Sequence, residues 1–410
     1  MQLSLFAVQE IPAAIVTFVS LLIFIQTGTA PALSTVYSAM LAVPWIFKAQ
    51  LAHMVRQRRH FRGMLLFTEC ILVIEMLAFA MVVSPSSAIF RTMGAGSGNG
   101  VAIFSTLFII SLTTAWHEVQ AEAFYFYRLR SHLNQFYDMP RLFVSQSMVV
   151  VTYGLLIILV GTLQVLYRSI FVSWAIGFRV MAGVMALYLL WHVFVLPRMV
   201  EPLHPVVRQR TIDLFSRRFS ARSHNAGMKL YLFTFFLLLP QALMFYTRVL
   251  FLLAPEDKGG LSCSIQELGF AHGVVGAIAF GAGLLFSRHL KVKPLNRKKR
   301  LNVSFLFSNT VLLSPLVYLC MSWFAPKSLF VLSACTFVAQ FFFGFGLHRT
   351  LAQFGMSAYN GLRLPIVALT MMVPVAVSAY FSDVWGFRTF FLVDSLTAVL
   401  PYLFIKYVKL

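Results

Sequence analysis

The stretch Thr113–Tyr127, TTAWHEVQAEAFYFY, decides how this chain must fold. It ends an apolar run that begins at Val101 and is long enough to cross a bilayer as a helix. Glu118 and Glu122 are four residues apart within it, so they share one helix face. A carboxylate in hydrocarbon is costly unless it is paired, protonated or in contact with water. The stretch therefore predicts a transmembrane helix whose acidic face looks into a polar interior.

The composition around this stretch is that of an integral membrane protein. Of the 410 residues, 59% are hydrophobic and only 11% are charged, whereas soluble domains are about 25% charged. Runs of about 20 apolar residues, the length that spans a bilayer, recur along the chain. The candidate spans are 4–27, 32–54, 63–83, 101–126, 142–166, 170–196, 229–253, 266–287, 302–324, 328–347, 364–382 and 388–407. The sequence predicts an all-α integral membrane protein with twelve transmembrane helices, the last two separated only by a short stretch that ends at Phe387.

Most of the basic residues behind the net charge of +20 lie in the loops between these spans. With the N terminus inside, Lys and Arg in the inner loops and tail exceed those outside by roughly five to one, which by the positive-inside rule places both termini in the cytoplasm. The same bias explains the charge without a nucleic-acid partner. The four cysteines have neither a disulfide framework nor metal-ligand spacing, so we expect no metal and no cofactor.

The longest connection between spans, Pro197–Met228, lies in the middle of the chain and is rich in arginine. It divides the spans six and six. This predicts an N-terminal six-helix bundle over residues 1–196, a cytoplasmic basic linker over 197–228, and a C-terminal six-helix bundle over 229–410. Two six-helix halves joined in this way are typical of the major facilitator fold, in which the halves rock about a substrate site near the middle of the membrane.

Five stretches of the chain, in order, resemble a known family. They are QEIPAAIVTFVSLLIF, LAVPWIFKAQLAHMV, WHEVQAEAFYFYRL, CSIQELGFAHGVVGAIAFGAGLL and GFRTFFLVDSLTAVLPYLF. Their most specific part comprises His117, Glu118, Ala121, Glu122, Phe124 and Tyr125. Together they resemble AmpG-type permeases of the major facilitator superfamily, which usually have Asp at both Glu positions. The resemblance implies a transporter of the bacterial inner membrane that takes up peptidoglycan fragments (anhydro-muropeptides), with proton coupling inferred.

The chain departs from that family in two places. The loop after span 2, near Arg56, lacks the family's acidic residue and prolines. The polar stretch between spans 10 and 11, here HRTLAQFGMSAYNGLR, matches the family's pattern poorly. Two other functions therefore stay open. One is a major facilitator carrier for another solute, such as an organic anion or an acyl-thioester, and the other is a non-transporting receptor or scaffold derived from a transporter.

Ionisable residues at similar depth are candidates for proton coupling. At about 1.5 Å per helical residue, Glu10, Lys48 and Glu118 lie roughly 9–12 Å from the inner ends of spans 1, 2 and 4. We expect Glu118 or Glu122 to carry the coupled proton, with Lys48 as its charge partner. His117 and Glu10 are expected to assist. The alternative is a static buried ion pair that fixes helix packing.

Polar side chains elsewhere in the spans are candidates for solute binding. The ring of Trp116, next to the acidic residues, is suited to stacking on a sugar face. The amides of Gln9, Gln241 and Gln340 are suited to N-acetyl or hydroxyl groups, with interhelical packing bonds as the alternative. Arg248, near the outer end of span 7, either meets an anionic solute or extends to the outer headgroups.

Other intramembrane residues are expected to have structural roles. Glu75 and Arg179 are expected to form a salt bridge between spans 3 and 6. His272 and His192 are expected to be hydrogen-bonded packing residues, and Trp45 an anchor at the inner interface. No nucleophile, base and orienting group form a set, so we do not expect an enzyme. The expected partners are a sugar-peptide or other anionic small molecule, protons and membrane lipids, and the expected state is a monomer.

Overall fold

The computed structural model describes residues 2–56, 61–85, 97–128, 134–196, 224–289, 297–353 and 365–408, and in these ranges the chain forms helices and turns without a strand. The α-helices are α1 (Gln2–Ala14), α2 (Ser20–Gln26), α3 (Pro31–Met40), α4 (Val43–Ile46), α5 (Lys48–Arg56), α6 (Phe61–Val82), α7 (Ser97–Arg128), α8 (Asn134–Val149), α9 (Leu156–Tyr167), α10 (Ile170–Val195), α11 (His224–Leu253), α12 (Ile265–Leu268), α13 (Gly276–His289), α14 (Arg297–Phe324), α15 (Leu329–Gln353), α16 (Pro365–Thr397) and α17 (Leu400–Val408). A 3₁₀ turn, Glu256–Lys258, follows α11.

Three π-helical segments continue one α-helix into the next. Ile15–Val19 joins α1 to α2, Val150–Leu155 joins α8 to α9, and Gly269–Val275 joins α12 to α13. Each pair of helices therefore forms one continuous span with a locally wider turn. Such π-segments are rare and often lie at functional sites.

The helices are long and apolar enough for a multi-pass membrane protein. Among the described residues, nine helical stretches have the length and hydropathy to cross a bilayer. Two shorter apolar helices, Pro31–Ile46 and Thr310–Phe324, overlap predicted spans 2 and 9. The prediction of an all-helical membrane protein is confirmed, whereas the number of twelve spans stays a prediction.

The last two predicted spans are joined in one helical stretch with a break inside it. Gly386 has φ 74° and ψ 158°, so the backbone leaves the helical conformation at that residue. Glycine adopts such a conformation without the steric cost of a Cβ atom. The break lies one residue before Phe387, the last residue of the predicted connection between these spans.

Predicted span 2 is divided into α3, α4 and α5. Pro44 lies in the first turn of α4, where its missing N–H leaves no hydrogen bond unmade. The carbonyl of Leu41, at the break before α4, accepts a 2.6 Å hydrogen bond from the Ser111 hydroxyl of α7. This break places Trp45 in α4 and Lys48 at the start of α5, and both of these helices pack against α7.

The chain forms two compact units. Unit 1 comprises Met1–Ala30, Leu41–Thr152 and Leu159–His224, and unit 2 comprises Pro31–Met40, Tyr153–Ile158 and Asn225–Leu410. In unit 1, α7 packs against α1, α5 and α6, and α6 also packs against α10. The predicted bundle boundaries stay a prediction, and residues 197–223 of the predicted linker lie outside the described residues.

In unit 2, α15 packs between α13 and α14, while α16 packs against α3 and α14. The contact between α13 and α15 depends on two glycines. A Cβ atom at Gly283 would overlap the carbonyl oxygen of Phe341, and one at Gly344 would overlap the carbonyl oxygen of Phe280. The two helices therefore approach backbone to backbone, as small residues permit in membrane proteins.

Candidate functional site

Lys48 joins the two acidic residues of α7. Its Nζ lies 2.9 Å from Oε1 of Glu118 and 3.1 Å from Oε1 of Glu122. All three side chains are buried, with no more than 8% of any of them exposed. The spacing of four residues along α7 puts both carboxylates on one face, and the start of α5 delivers the ammonium group between them.

Trp45 and Arg141 complete this group, which we call the charge cluster (Trp45, Lys48, Glu118, Glu122 and Arg141). The indole Nε1 of Trp45 donates to Oε2 of Glu118 at 2.7 Å. A guanidinium nitrogen of Arg141 lies 3.5 Å from Oε1 of Glu122. Two cations thus face two carboxylates, and a planar donor fixes one of those carboxylates.

Neither Trp45 nor Arg141 was assigned to this group by sequence. Trp45 is expected at the membrane interface, but the break after α3 turns its indole N–H toward Glu118. Arg141 counts as an inner-loop charge in the sequence, but it lies inside α8, is buried, and has its guanidinium carbon 4.0 Å from the centre of the Phe6 ring. An arginine is readily placed in this way because its planar group can bind a carboxylate and stack on a ring at once.

Glu10, another predicted coupling residue, accepts hydrogen bonds from two uncharged side chains. Its Oε2 accepts from the Ser145 hydroxyl at 3.0 Å, and its Oε1 accepts from Nε2 of Gln9 at 3.3 Å. Gln9, a predicted solute-binding residue, is buried, and its side-chain amide donates this hydrogen bond to Glu10. The structure therefore places Gln9 and Glu10 together, where α1 packs against α8.

His117 faces away from Glu118 and belongs to a second buried group, the imidazole cluster (Ser4, Glu69, His117 and His192). Oε1 of Glu69 lies 3.3 Å from Nε2 of His117 and 2.8 Å from Nδ1 of His192. Nε2 of His192 lies 2.8 Å from the hydroxyl oxygen of Ser4. At most 1% of the side chains of Glu69 and the two histidines is exposed.

Sequence reasoning missed Glu69. Its partners lie on α7 and α10, 48 and 123 residues away along the chain, so no local spacing connects them. The available signal was the presence of a carboxylate inside an apolar span, because an ionisable group in the membrane usually has a functional role or a charged partner. His192 is hydrogen-bonded, as expected of it, but it is bonded to this carboxylate.

The predicted salt bridge between Glu75 and Arg179 is wrong. Oε1 of Glu75 accepts a 2.6 Å hydrogen bond from the Thr113 hydroxyl of α7, and Arg179 is exposed on α10. The two residues lie on neighbouring helices, but Glu75 faces α7 and the arginine faces outward. Membrane depth alone does not fix the rotation of a side chain about its helix axis.

Arg248 lies at the centre of a polar group in unit 2. Only 6% of the residue is exposed, so its side chain does not extend to the surface. It interacts electrostatically with Tyr153, Tyr318 and His272. Among the described residues, no carboxylate lies within salt-bridge distance of it, and its Nε has no hydrogen-bond partner. A buried guanidinium without a counter-anion is an unusual and costly arrangement.

Other unpaired donors lie beside Arg248. A Cβ atom at Gly276 would contact Gln340 and His272, each at 3.5 Å, which places these two side chains next to each other. The side chain of Gln340 lies near the Tyr318 hydroxyl, but its amide nitrogen makes no hydrogen bond of regular geometry in the described part of the chain, and neither do the two ring nitrogens of His272. His272 is therefore not the hydrogen-bonded packing residue that the sequence predicts. It packs edge-on against Tyr153, with the ring centres 5.5 Å apart.

We call this group the arginine cluster (Tyr153, Arg248, His272, Tyr318 and Gln340). Gln241, two helical turns before Arg248 on α11, is also buried and has an unpaired amide nitrogen. A buried polar group without a partner costs about 1–3 kcal/mol. The unpaired donors around Arg248 would therefore stabilise a bound molecule that carries a negative charge and hydrogen-bond acceptors.

Trp116, a predicted solute-binding residue, is in contact with an apolar core. Its half-buried ring packs against an apolar core that includes Leu5, Val55 and Val119. Its role in sugar stacking stays a prediction.

The described residues include no group of three or more His, Cys, Asp or Glu arranged to hold a metal ion. The four cysteines are free thiols. Cys263 lies between α11 and α12, outside the membrane-spanning helices. Burial, together with the nearby Glu267 carboxylate, raises the pKa of its thiol to about 11.

No protein-family model matches the sequence, and no curated protein is significantly similar to it. Solved structures are similar over the whole length. A proton-dependent oligopeptide transporter aligns over 100% of this chain and 98% of its own, with a TM-score of 0.66 and 14% identity. The nucleoside transporter NupG aligns over 100% and 98%, with a TM-score of 0.64 and 13% identity. A D-xylose–proton symporter aligns over 99% and 96%, with a TM-score of 0.61 and 13% identity.

At these identities the similarity establishes the fold, not the solute. The chain has the major facilitator fold, as its span pattern predicts. The resemblance to AmpG-type permeases is limited to the sequence stretches quoted above.

Proposed function

We propose that the protein is a proton-coupled secondary transporter that takes up a carboxylate-bearing solute, an anhydro-muropeptide or a related amino-sugar fragment of peptidoglycan, by alternating access. The observation that carries the proposal is the burial of Lys48 between Glu118 and Glu122. Charged groups inside a membrane protein are costly and are usually retained for function. The fold is one that proton symporters use, and the sequence stretches quoted above resemble muropeptide permeases.

The charge cluster supplies a way to couple solute and proton movement. While Lys48 lies 2.9 Å from Glu118, the carboxylate is stabilised as the anion. If the movement of α5 against α7 separates the two, the desolvated carboxylate gains affinity for a proton because its counter-charge is gone. Glu118 thus binds a proton in one conformation and releases it in the other. Glu122, which also contacts Arg141, keeps a counter-charge in both.

The arginine cluster supplies the affinity for a solute. Arg248 has an unpaired Nε, and Gln241 and Gln340 have unpaired amide nitrogens. A carboxylate would satisfy the guanidinium, and N-acetyl carbonyls or hydroxyls would satisfy the amides. Sugar-peptide fragments of the cell wall carry both kinds of group.

The charge distribution of the sequence supports the orientation. We place both termini in the cytoplasm because Lys and Arg concentrate in the loops on that side. The resemblance to AmpG-type permeases supports the bacterial inner membrane as the location, and we propose a monomer. The chain divides into two helical bundles, residues 1–196 and 229–410, that rock about the solute with no cofactor.

Uptake into proteoliposomes tests this proposal. Purified protein is reconstituted, and uptake of a radiolabelled anhydro-muropeptide is followed with and without an inward proton gradient. We expect accumulation that requires the gradient and is abolished by a protonophore. Asp257→Asn, which changes an exposed carboxylate outside the spans, is the matched control for Glu118→Gln.

Each alternative function gives a different result. Accumulation of an organic anion or acyl-thioester in place of the muropeptide would favour a carrier for another solute. Binding without uptake would favour a receptor or scaffold. A Glu118→Gln protein that still accumulates solute with the gradient would remove the coupling role of Glu118.

A further inference from the structure

We propose that Glu69, His117 and His192 form a proton-binding site of their own, in which the coupled proton rests between transport steps. This inference depends on the proposed function and extends it to residues outside the charge cluster. The site lies wholly within unit 1, on α6, α7 and α10, with Ser4 of α1 at its edge.

With Glu69 ionised, the geometry assigns the ring hydrogens. A single oxygen, Oε1 of Glu69, lies within hydrogen-bond distance of both imidazoles. An ionised carboxylate only accepts hydrogen bonds, so His117 must donate through Nε2 and His192 through Nδ1. Nδ1 of His117 and Oε2 of Glu69 have no partner among the described atoms. With both rings neutral, the site therefore holds one negative charge.

A proton enters this site without any movement of heavy atoms. Nε2 of His192, the ring nitrogen that does not face Glu69, lies 2.8 Å from the Ser4 hydroxyl. A hydroxyl group donates to a neutral imidazole nitrogen and accepts from a protonated one, so Ser4 satisfies His192 in either state. When Nε2 takes up the proton, the N–H bond forms, the hydroxyl rotates, and the net charge of the site falls to zero. Ser4 is half-buried, whereas the other members are buried, so the site is reached from Ser4.

The charged and titratable neighbours do not neutralise Glu69. Arg62 of α6 donates to a backbone carbonyl of α10 at 2.6 Å. Glu75, further along α6, binds Thr113, and Tyr188 of α10 has its ring centre 6.4 Å from that of His192. On α1, Glu10 is bonded to Ser145 and Gln9. In the described part of the chain, no lysine or arginine pairs with Glu69, so its charge is compensated by imidazole alone.

The comparison with the charge cluster favours this site for the resting proton. In the charge cluster each carboxylate already has a cation within 3.5 Å, and these cations oppose the addition of a proton. In the imidazole cluster the added proton removes a buried negative charge. Isolated buried charge is strongly disfavoured. His117 follows Trp116 and precedes Glu118 on α7, so both clusters are attached to the same turn of one helix.

Two transport readouts in the same proteoliposomes test the proposal. With the membrane potential clamped at zero, an inward gradient of one pH unit supports about tenfold accumulation for one coupled proton, because one pH unit is tenfold in proton activity. Counterflow of labelled against unlabelled anhydro-muropeptide at equal pH needs no net proton movement. His192→Gln can still bond to Glu69 and Ser4 but cannot hold a proton at neutral pH. We expect its accumulation ratio to fall to about one, while counterflow stays within about twofold of the wild type.

The outcomes separate the two proposals. His289→Gln, which changes an exposed histidine, is the matched control and should keep about tenfold accumulation. If His192→Gln also keeps it, the imidazole site is wrong, whatever Glu118→Gln does. If the wild type shows neither accumulation nor counterflow, the proposed function fails.

A spectroscopic measurement on the wild type decides the case if the variant misfolds. His117 and His192 are the two histidines that follow a tryptophan in the sequence. Tryptophan labelled with ¹³C at the carbonyl selects the backbone amides of these two histidines in an NMR spectrum of the full protein. Uniform ¹³C and ¹⁵N labelling of histidine then connects each selected amide to its ring nitrogens. Spectra are recorded from about pH 9 to pH 5, and we expect them to show a proton added to one of the two rings. Two rings that stay neutral with unchanged tautomers across that range would overturn the proposal.

Discussion

Replacing Lys48 with methionine should destabilise the protein far more than loss of a surface charge would. The substitution keeps an aliphatic side chain of similar length but removes the ammonium group that contacts Glu118 at 2.9 Å and Glu122 at 3.1 Å. Each hydrogen bond to a charged group contributes about 1.5–3 kcal/mol. Breaking a buried ion pair on one side costs about 3–5 kcal/mol because the other charge stays buried. We expect the free energy of unfolding to fall by about 3–5 kcal/mol.

The measurement is reversible unfolding in mixed micelles, followed by circular dichroism. Lys258→Met, which removes an exposed lysine between α11 and α12, is the control and should change stability by less than about 0.5 kcal/mol. The double variant Lys48→Met/Glu118→Gln should recover at least half of the loss, because Glu118 is the carboxylate that loses its cation while Glu122 keeps its contact with Arg141. A loss below about 1 kcal/mol, the range of exposed ion pairs, would refute the reasoning. So would a double variant less stable than Lys48→Met alone.

Three further predictions concern unit 2. Arg248→Gln should weaken binding of the anionic solute about 10–100-fold in a direct binding assay, since a hydrogen bond to a charged group is worth about 1.5–3 kcal/mol. Lys327→Gln, at an exposed position, should leave the affinity unchanged. A change below twofold for Arg248→Gln would contradict this role. Gly283→Ala should lower the melting temperature because its Cβ would overlap a backbone carbonyl of α15, at a cost of about 1–3 kcal/mol. Gly183→Ala should not, because no atom lies within 4 Å of the added Cβ. Equal melting temperatures for the two variants would contradict the helix packing described above. The third prediction concerns the rate of alkylation of Cys263, measured with the other cysteines replaced by alanine. The rate should rise about tenfold per pH unit up to about pH 10, because with a pKa of about 11 only a small fraction of the thiol is ionised below that pH. A rate that reaches a plateau below about pH 9 would disprove the raised pKa.

The periodic apolar runs were sufficient to predict the all-helical membrane fold. The hydrophobic length of each run sets the span, and this information is local. Counting residues from the inner ends of the spans put Lys48 and Glu118 at the same depth, and their side chains are in contact. Depth is a property of one helix, so it can be read from the sequence without knowing the neighbouring helices.

Contacts that depend on helix rotation and on distant partners could not be predicted in this way. The depth count also paired Glu75 with Arg179, but the two face different directions. Glu69 meets its histidines only because α6, α7 and α10 pack together. Arg141, counted as a loop residue, is drawn into the core by the combined attraction of a carboxylate and an aromatic ring.

Proton movement driven by the solute tests the central claim most directly. Proteoliposomes that contain a pH-sensitive dye and start at equal pH inside and out are given anhydro-muropeptide on the outside. The account predicts that the interior acidifies as the solute enters, that the wild type and Asp257→Asn behave alike, and that Glu118→Gln does not acidify the interior. Solute entry without any acidification in the wild type would contradict it.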